Sequence, residues 1–174
     1  PSNRIQLLNS GDIDIECNAS TNNEERRRSA QFALSHYFVS VRYVALKSNG
    51  FTTLEDLSGR SVSVARGTVN VSQINQANRE QQLNLSVVPV ETLQGAFDLV
   101  AEGRVAAFAM DDVLLSAMIA ESDEPQAYVL SEEAITSTEP LGFMMRLEDD
   151  AFAVEVNKAL EHIYTNPETG PYPT

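Results

Sequence analysis

Thr21 and Arg26 stand on one loop and the start of a helix, so a hydroxyl and a guanidinium could meet on one small anion. Arginine offers a bidentate fork suited to a carboxylate. The same two residues also read as a helix cap beside a surface arginine. Arg66-Gly67-Thr68-Val69 joins a strand to a helix, which leaves backbone N–H groups at the positive end of the helix dipole; an ordinary strand-to-helix turn has the same residues. Ala106 to Met110 reads as a buried strand that ends in Asp111-Asp112. In open α/β sheets ligands sit beyond the carboxyl ends of strands, where an aspartate could meet an ammonium. One of the two aspartates would otherwise cap the following helix, and Asp112 is the better placed for that. Arg26 and the Gly67-Thr68-Val69 turn therefore suit a carboxylate, Asp111 and Thr21 an amino group, and an α-amino acid carries both.

No catalytic signature accompanies these features. His36 and His162 lie in unrelated contexts, and His162 sits in an amphipathic pattern where a solvated or packed imidazole is the plain reading. Ser131-Glu132-Glu133 and Glu148-Asp149-Asp150 fall at element ends, where acidic residues favour helix N-termini. Gly67 stands alone, so there is no glycine-rich phosphate loop. With one cysteine, Cys17, neither an intrachain disulfide nor a cysteine-rich zinc site is available. The expectation is a binding protein, not an enzyme, without cofactor or metal. The formal charge of −13 argues against nucleic acid or an anionic membrane surface as a partner, since both call for a basic patch. Composition, at 43% hydrophobic and 21% charged, is that of a globular protein. Apolar runs such as Val105 to Met110 fall far below the roughly 20 residues that span a bilayer.

The elements that must position these residues alternate along the chain. Ile5, Leu7 and Leu8 before Asn9-Ser10-Gly11 read as a helix stopped by glycine, and Ile13, Ile15 and Cys17 as a short strand. Tyr37 to Leu46 reads as one β-rich run, long enough to bridge two lobes. Helices are expected over Thr53 to Leu57, Val69 to Asn78, Leu93 to Glu102 and Asp112 to Ala120, and strands over Ser61 to Ala65, Ser86 to Val90, Ala106 to Met110 and Tyr128 to Leu130. Strands separated by helices of about ten residues imply βαβ units and a mainly parallel sheet. Leu141 to Met145 is expected as a strand and Asp149 to Tyr164 as a final helix, followed by a loose tail from Asn166 to Thr174. The stretch from about Gly50 to Glu139 thus reads as a whole α/β unit, while the outer pieces lack a sheet of their own. The chain opens on Pro1-Ser2-Asn3-Arg4 without an initiator Met, which suggests a processed or cut chain.

These residues also resemble a known family. Asn3-Arg4-Ile5, Gly11-Asp12-Ile13-Asp14, the run Thr21 to Arg26, Leu54 to Arg60, Gly67-Thr68, Glu102-Gly103-Arg104 and Ala107 to Asp112 are similar, in order and spacing, to the polar amino-acid-binding proteins of ABC importers, in particular the glutamate/aspartate-binding branch. The resemblance implies an α/β fold of the type II periplasmic-binding-protein kind, with a complete second lobe built on a parallel-dominated sheet and part of the first lobe. It places residues 1–46 in lobe one and the first hinge crossing, 47–139 in lobe two, and 140–174 in the second crossing and the C-terminal helix. It implies a periplasmic, extracytoplasmic protein with a cleaved signal that closes on an amino acid and presents it to the membrane permease. Carried across, Arg26 would bind the α-carboxylate, Thr21 and the Ala19 backbone would help hold the amino acid, Thr68 and Val69 would supply N–H groups, Asp111 would pair with the α-ammonium, and Arg4 would reach the side-chain carboxylate.

The sequence departs from that pattern at four places. Ala19 stands where a serine is common and Val69 where a second threonine is common; Pro1 and Leu93 fall where the branch tends to have a serine and a histidine. A distal carboxylate needs donors to offset its desolvation, and Arg4 and Arg66 are the candidates to supply them. Relatives begin about a third of a protein earlier, so the chain reads as N-terminally incomplete, with self-association through the incomplete lobe as one consequence. The competing classes are a ligand-sensing ectodomain of a receptor, a dehydratase-like enzyme, for which the cleft offers no evident Glu or His, and a truncated lobe that no longer binds ligand.

Overall fold

A computed structural model describes residues 2–166; the tail from 167 on, expected to be loose, and Pro1 lie outside the described residues. The elements in chain order are α1 (Arg4–Ser10), β1 (Ile15–Glu16), α2 (Glu24–Arg27), β2 (Gln31–Phe32), β3 (Tyr37–Val39), β4 (Val41–Leu46), β5 (Ser61–Ala65), α3 (Asn70–Glu80), β6 (Ser86–Val90), α4 (Leu93–Ala101), β7 (Ala107–Asp111), α5 (Asp112–Glu121), β8 (Tyr128–Leu130), β9 (Glu139–Leu141), β10 (Met144–Met145) and α6 (Asp150–Thr165). They form two compact units, one of Ser2 with Val39–Thr138 and the other of Asn3–Phe38 with residues from Glu139 on.

The first unit is built on a five-stranded sheet in the order β6-β5-β7-β4-β8. β5 pairs in parallel with β6 and β7, and β4 runs antiparallel to both its neighbours. Four strands therefore share one direction and β4 alone is reversed, the mainly parallel sheet that alternating strands and helices imply. All five residues of β7 are buried, as expected for a strand covered on both faces. Its side chains alternate between two cores. Ala107 and Ala109 join Val62, Val64 and Ile74 of α3, and Phe108 and Met110 join Phe97 and Val100 of α4 and Leu115 of α5.

The second unit has a three-stranded sheet, β1-β10-β2, all antiparallel. Met144 and Met145, adjacent on β10, point to opposite faces. Met144 packs with Leu8 of α1 and Ala30, Met145 with Ala153 and Leu160 of α6. Gly11 ends α1 as anticipated, at φ 81°, a conformation glycine adopts without a Cβ penalty, and its N–H closes the last turn on Leu8.

Four expectations are corrected. The outer pieces, expected to lack a sheet of their own, pair with each other as β1-β10-β2, because the short strands on either side of the first unit in the sequence meet across β10. The run Tyr37 to Leu46 is not one strand: it breaks at Ser40 because the two halves serve different partners, β3 pairing with β9 and β4 with β7 and β8. Leu141 to Met145 divides likewise at Gly142-Phe143, where the Gly142 N–H donates to the Ser20 carbonyl and the Phe143 carbonyl accepts from Ala33. Thr53 to Leu57 is only a single 3-10 turn at Glu55–Leu57, because the Asp56 carboxylate accepts the Thr52 and Thr53 N–H groups at 2.8 and 2.9 Å and closes the segment as a side-chain turn. The strand β2 has no signature in the sequence, since two residues are too short for a period to register.

Phe108, fully buried at the centre of the sheet, carries a direct test of this core. Phe108→Ala should lower unfolding stability by about 3–5 kcal/mol, read from the urea midpoint by far-ultraviolet circular dichroism.

Candidate functional site

In the second unit the loop after β1 brings together residues from three elements. Asn23 caps α2, its Oδ1 accepting the Arg26 N–H at 2.9 Å, so Thr21 is released from the capping role that the sequence left open for it. The Arg26 guanidinium turns back and donates from Nη1 to the Thr21 carbonyl at 3.1 Å. Thr21 itself is buried and bridges to Leu141. The structure therefore brings Thr21 and Arg26 together, through the threonine backbone and not its hydroxyl. The Ala19 N–H donates to Asn18 Oδ1 at 2.7 Å, so this backbone donor is engaged by its own neighbour.

Arg4 lies in the same unit and has a partner that the sequence did not reveal. Its Nη1 donates to Ser20 Oγ at 2.7 Å and sits 3.5 Å from Glu16 Oε1, while Ser20 Oγ donates to Glu16 Oε2 at 2.7 Å. The Arg4 and Glu16 side chains are 12% and 9% exposed, so this is a largely desolvated pair closed by a hydroxyl. Arg66, the other candidate for a distal carboxylate, belongs to the first unit and pairs with Glu91 at 3.0 Å on an open surface.

In the first unit the turn after β5 places Thr68 and Val69 at the start of α3. Gly67 has φ 73°, and a Cβ there would come within 2.5 Å of the Ser2 backbone, so conformation and close approach both demand glycine. The Thr68 hydroxyl donates to the Ala65 carbonyl at 2.7 Å, and Val69 occupies the helix cap with no side-chain bond. β7 delivers Asp111, 1% exposed, to its carboxyl end. Period-two alternation puts Asp111 on the face of Ala107 and Ala109, the face that α3 covers. There the Asn70 amide, 1% exposed, donates to Asp111 Oδ1 at 3.1 Å.

Asp111, and not Asp112, holds the cap position of α5, yet its side chain makes no capping bond. Asp112 instead accepts the Val113 N–H at 2.8 Å and lies 3.9 Å from Arg42 Nε. The Asp111 carboxylate thus makes no cap bond and meets the Asn70 amide. Among the described residues no group of three or more His, Cys, Asp or Glu is placed to hold a metal ion, and no helix is long and apolar enough to cross a membrane. A cavity of about 550 Å³ in the second unit is lined by Asn22, Arg27, Phe32 and Leu147 among others, and none of the anticipated site residues reaches it. Of the residues that matter here, Glu16, Ser20 and Asn70 escaped the sequence reading; nothing in their spacing marks a pair that forms across loops.

The family model for bacterial extracellular solute-binding proteins, family 3, matches residues 1–170. The chain is similar to an L-glutamate/L-aspartate-binding protein of Pseudomonas aeruginosa, 31% identical over 165 residues that make up 95% of this chain and 54% of the relative. It is similar also to an ABC transporter glutamine-binding protein of Bacillus subtilis, at 28% identity over 91% of this chain and 55% of the relative. A solved structure of an ancestral arginine-binding protein bound to arginine superposes with a TM-score of 0.84 at 25% identity, covering 95% of this chain and 72% of that one. The chain spans about half the length of the curated relatives it matches.

The Arg4–Ser20–Glu16 cluster predicts its own energetics. Glu16→Ala leaves a mostly buried guanidinium without its carboxylate and should cost about 3 kcal/mol of unfolding stability; a loss below about 1 kcal/mol in urea titration would show the pair to be an ordinary surface bridge.

Proposed function

Because the chain belongs to the bacterial extracellular solute-binding proteins, family 3, and has the type II periplasmic-binding-protein fold, we propose that it is the amino-acid-binding part of an ABC importer's solute-binding protein, working outside the cytoplasm with a membrane permease as partner. The ligand is a polar L-amino acid. Asp111 receives its α-ammonium, Arg26 its α-carboxylate, and Thr21, the Ala19 backbone and the Thr68-Val69 turn complete the polar contacts. The residues 47–139 act as lobe two, and 1–46 with 140–174 contribute to lobe one and the crossings. The observation that carries the reading is the buried Asp111 carboxylate at the end of the central strand, kept out of helix capping.

The side chain of the ligand divides into two readings. Arg4 is the group that would take a distal carboxylate, which favours glutamate or aspartate. Arg4 is also within 3.5 Å of Glu16, and that pairing offsets its charge, which favours a neutral or basic side chain such as that of glutamine or arginine. Calorimetry of the chain with L-glutamate, L-aspartate, L-glutamine and L-arginine separates them. One of the four should bind. Arg26→Ala and Asp111→Ala should each weaken that binding at least about tenfold, since charged hydrogen bonds in partly buried sites contribute about 1.5–3 kcal/mol each. Arg4→Gln should weaken an acidic ligand and leave glutamine binding largely intact. Binding of none of the four by the unaltered chain would contradict the proposal.

A further inference from the structure

Asn70 is the first residue of α3, and its side chain is buried to 1% exposure. The amide nitrogen donates twice, to Asp111 Oδ1 at 3.1 Å and to Gln73 Oε1 at 3.4 Å. The amide oxygen is buried and has no hydrogen-bond partner among the described residues. An ionised carboxylate only accepts, so the amide must turn its NH₂ towards Asp111, and the carbonyl oxygen is left facing the other way. A buried acceptor without a partner is destabilising. Asparagine is also among the best helix caps, yet it stands one position past the cap of α3, where Val69 makes no side-chain bond, just as Asp111 makes none at the cap of α5. Two helix starts thus go without a side-chain cap, and one acceptor goes unmatched, while the amide and the carboxylate hold each other.

We infer that Asn70 is a positioning residue: its amide fixes the orientation of the Asp111 carboxylate and gives it an uncharged donor, set for a primary ammonium group. This rests on the proposed amino-acid site. An amide suits the task because it donates without bringing charge, whereas a lysine or arginine at this position would neutralise the carboxylate and remove its attraction for an ammonium.

Asn70→Leu removes the donor at similar volume, and Asn70→Ser returns a smaller one. Three readouts apply to the full chain: the Asp111 carboxyl titration by carbon-13 NMR, assigned with Asp111→Asn; the melting temperature; and calorimetry with the tightest of the four amino acids and its desamino analogue (glutarate, succinate, glutaramate or 5-guanidinopentanoate). In Asn70→Leu the Asp111 titration should move up by about one pH unit because the charged form loses a donor. The melting temperature at neutral pH should fall modestly, because a buried carboxylate loses a donor. Amino-acid binding should weaken about fivefold or more, the desamino analogue should bind as before, and Asn70→Ser should restore part of the difference. An unchanged Asp111 titration in Asn70→Leu overturns the inference whatever the chain binds, and so does an equal loss of affinity for the amino acid and its desamino analogue. An unaltered chain that binds no amino acid overturns the proposed site, and a titration shift in that case still shows that Asn70 holds the carboxylate.

Discussion

A strand covered on both faces can offer chemistry only at its end, and that constraint governs the first unit. β7 is buried along its whole length between α3 on one side and α4 and α5 on the other. Its backbone pairs with β4 from Phe108 to Asp111 and with β5 at Ala107 and Phe108. What remains is the residue at its carboxyl end, whose side is set by the alternation that begins at Ala107. Asp111 falls on the α3 face and meets Asn70. The packing of the sheet, the length of the strand and the starting point of α3 fix one carboxylate in one orientation, and a slip of one residue in β7 would send it to the opposite face.

The second unit solves a different problem with less material. The three strands of its β1-β10-β2 sheet have two residues each, too short to bury much by themselves, and the loops carry the polar work. Arg26 is tied to the loop backbone at Thr21, and Arg4 is tied to Glu16 directly and through Ser20. Internal bonds of this kind hold guanidinium groups in fixed geometry, which lowers the ordering cost of binding an anion. They also moderate charge. In a chain of net charge −13 the overall field does not favour an anion, so a carboxylate guest of the kind proposed would depend on arginines held in place locally.

Much of this was legible in the sequence because the first unit is made of long, regular elements. Tyr128 to Leu130 and Ser86 to Val90 fall where the alternation places them, and Asp111 is buried at a strand end as the pattern of an apolar run closing in acid implies. The runs Tyr37 to Leu46 and Leu141 to Met145 divide at Ser40 and at Gly142-Phe143, because β propensity marks extended chain and says nothing of which partner it pairs with. The site was half legible. Residue type alone singled out Arg26, Thr21 and Asp111. Glu16, Ser20 and Asn70 act through contacts that depend on tertiary placement, and a lone Asn at a helix start reads as ordinary capping chemistry. The internal partner of Arg4 is not legible in the sequence, because Glu16 lies on β1, twelve residues on, where it reads as one more acidic residue in an acidic chain.

The proposal at the centre of the account gives one amino-acid guest Asp111 for its ammonium and Arg26 for its α-carboxylate. A crystal structure of the chain grown with its tightest amino-acid ligand tests it most directly. The account predicts the ligand nitrogen at about 2.7–3.0 Å from an Asp111 carboxylate oxygen and the ligand carboxylate at a similar distance from the Arg26 guanidinium. A ligand bound away from either residue, or one whose ammonium is held by groups other than Asp111, would contradict it.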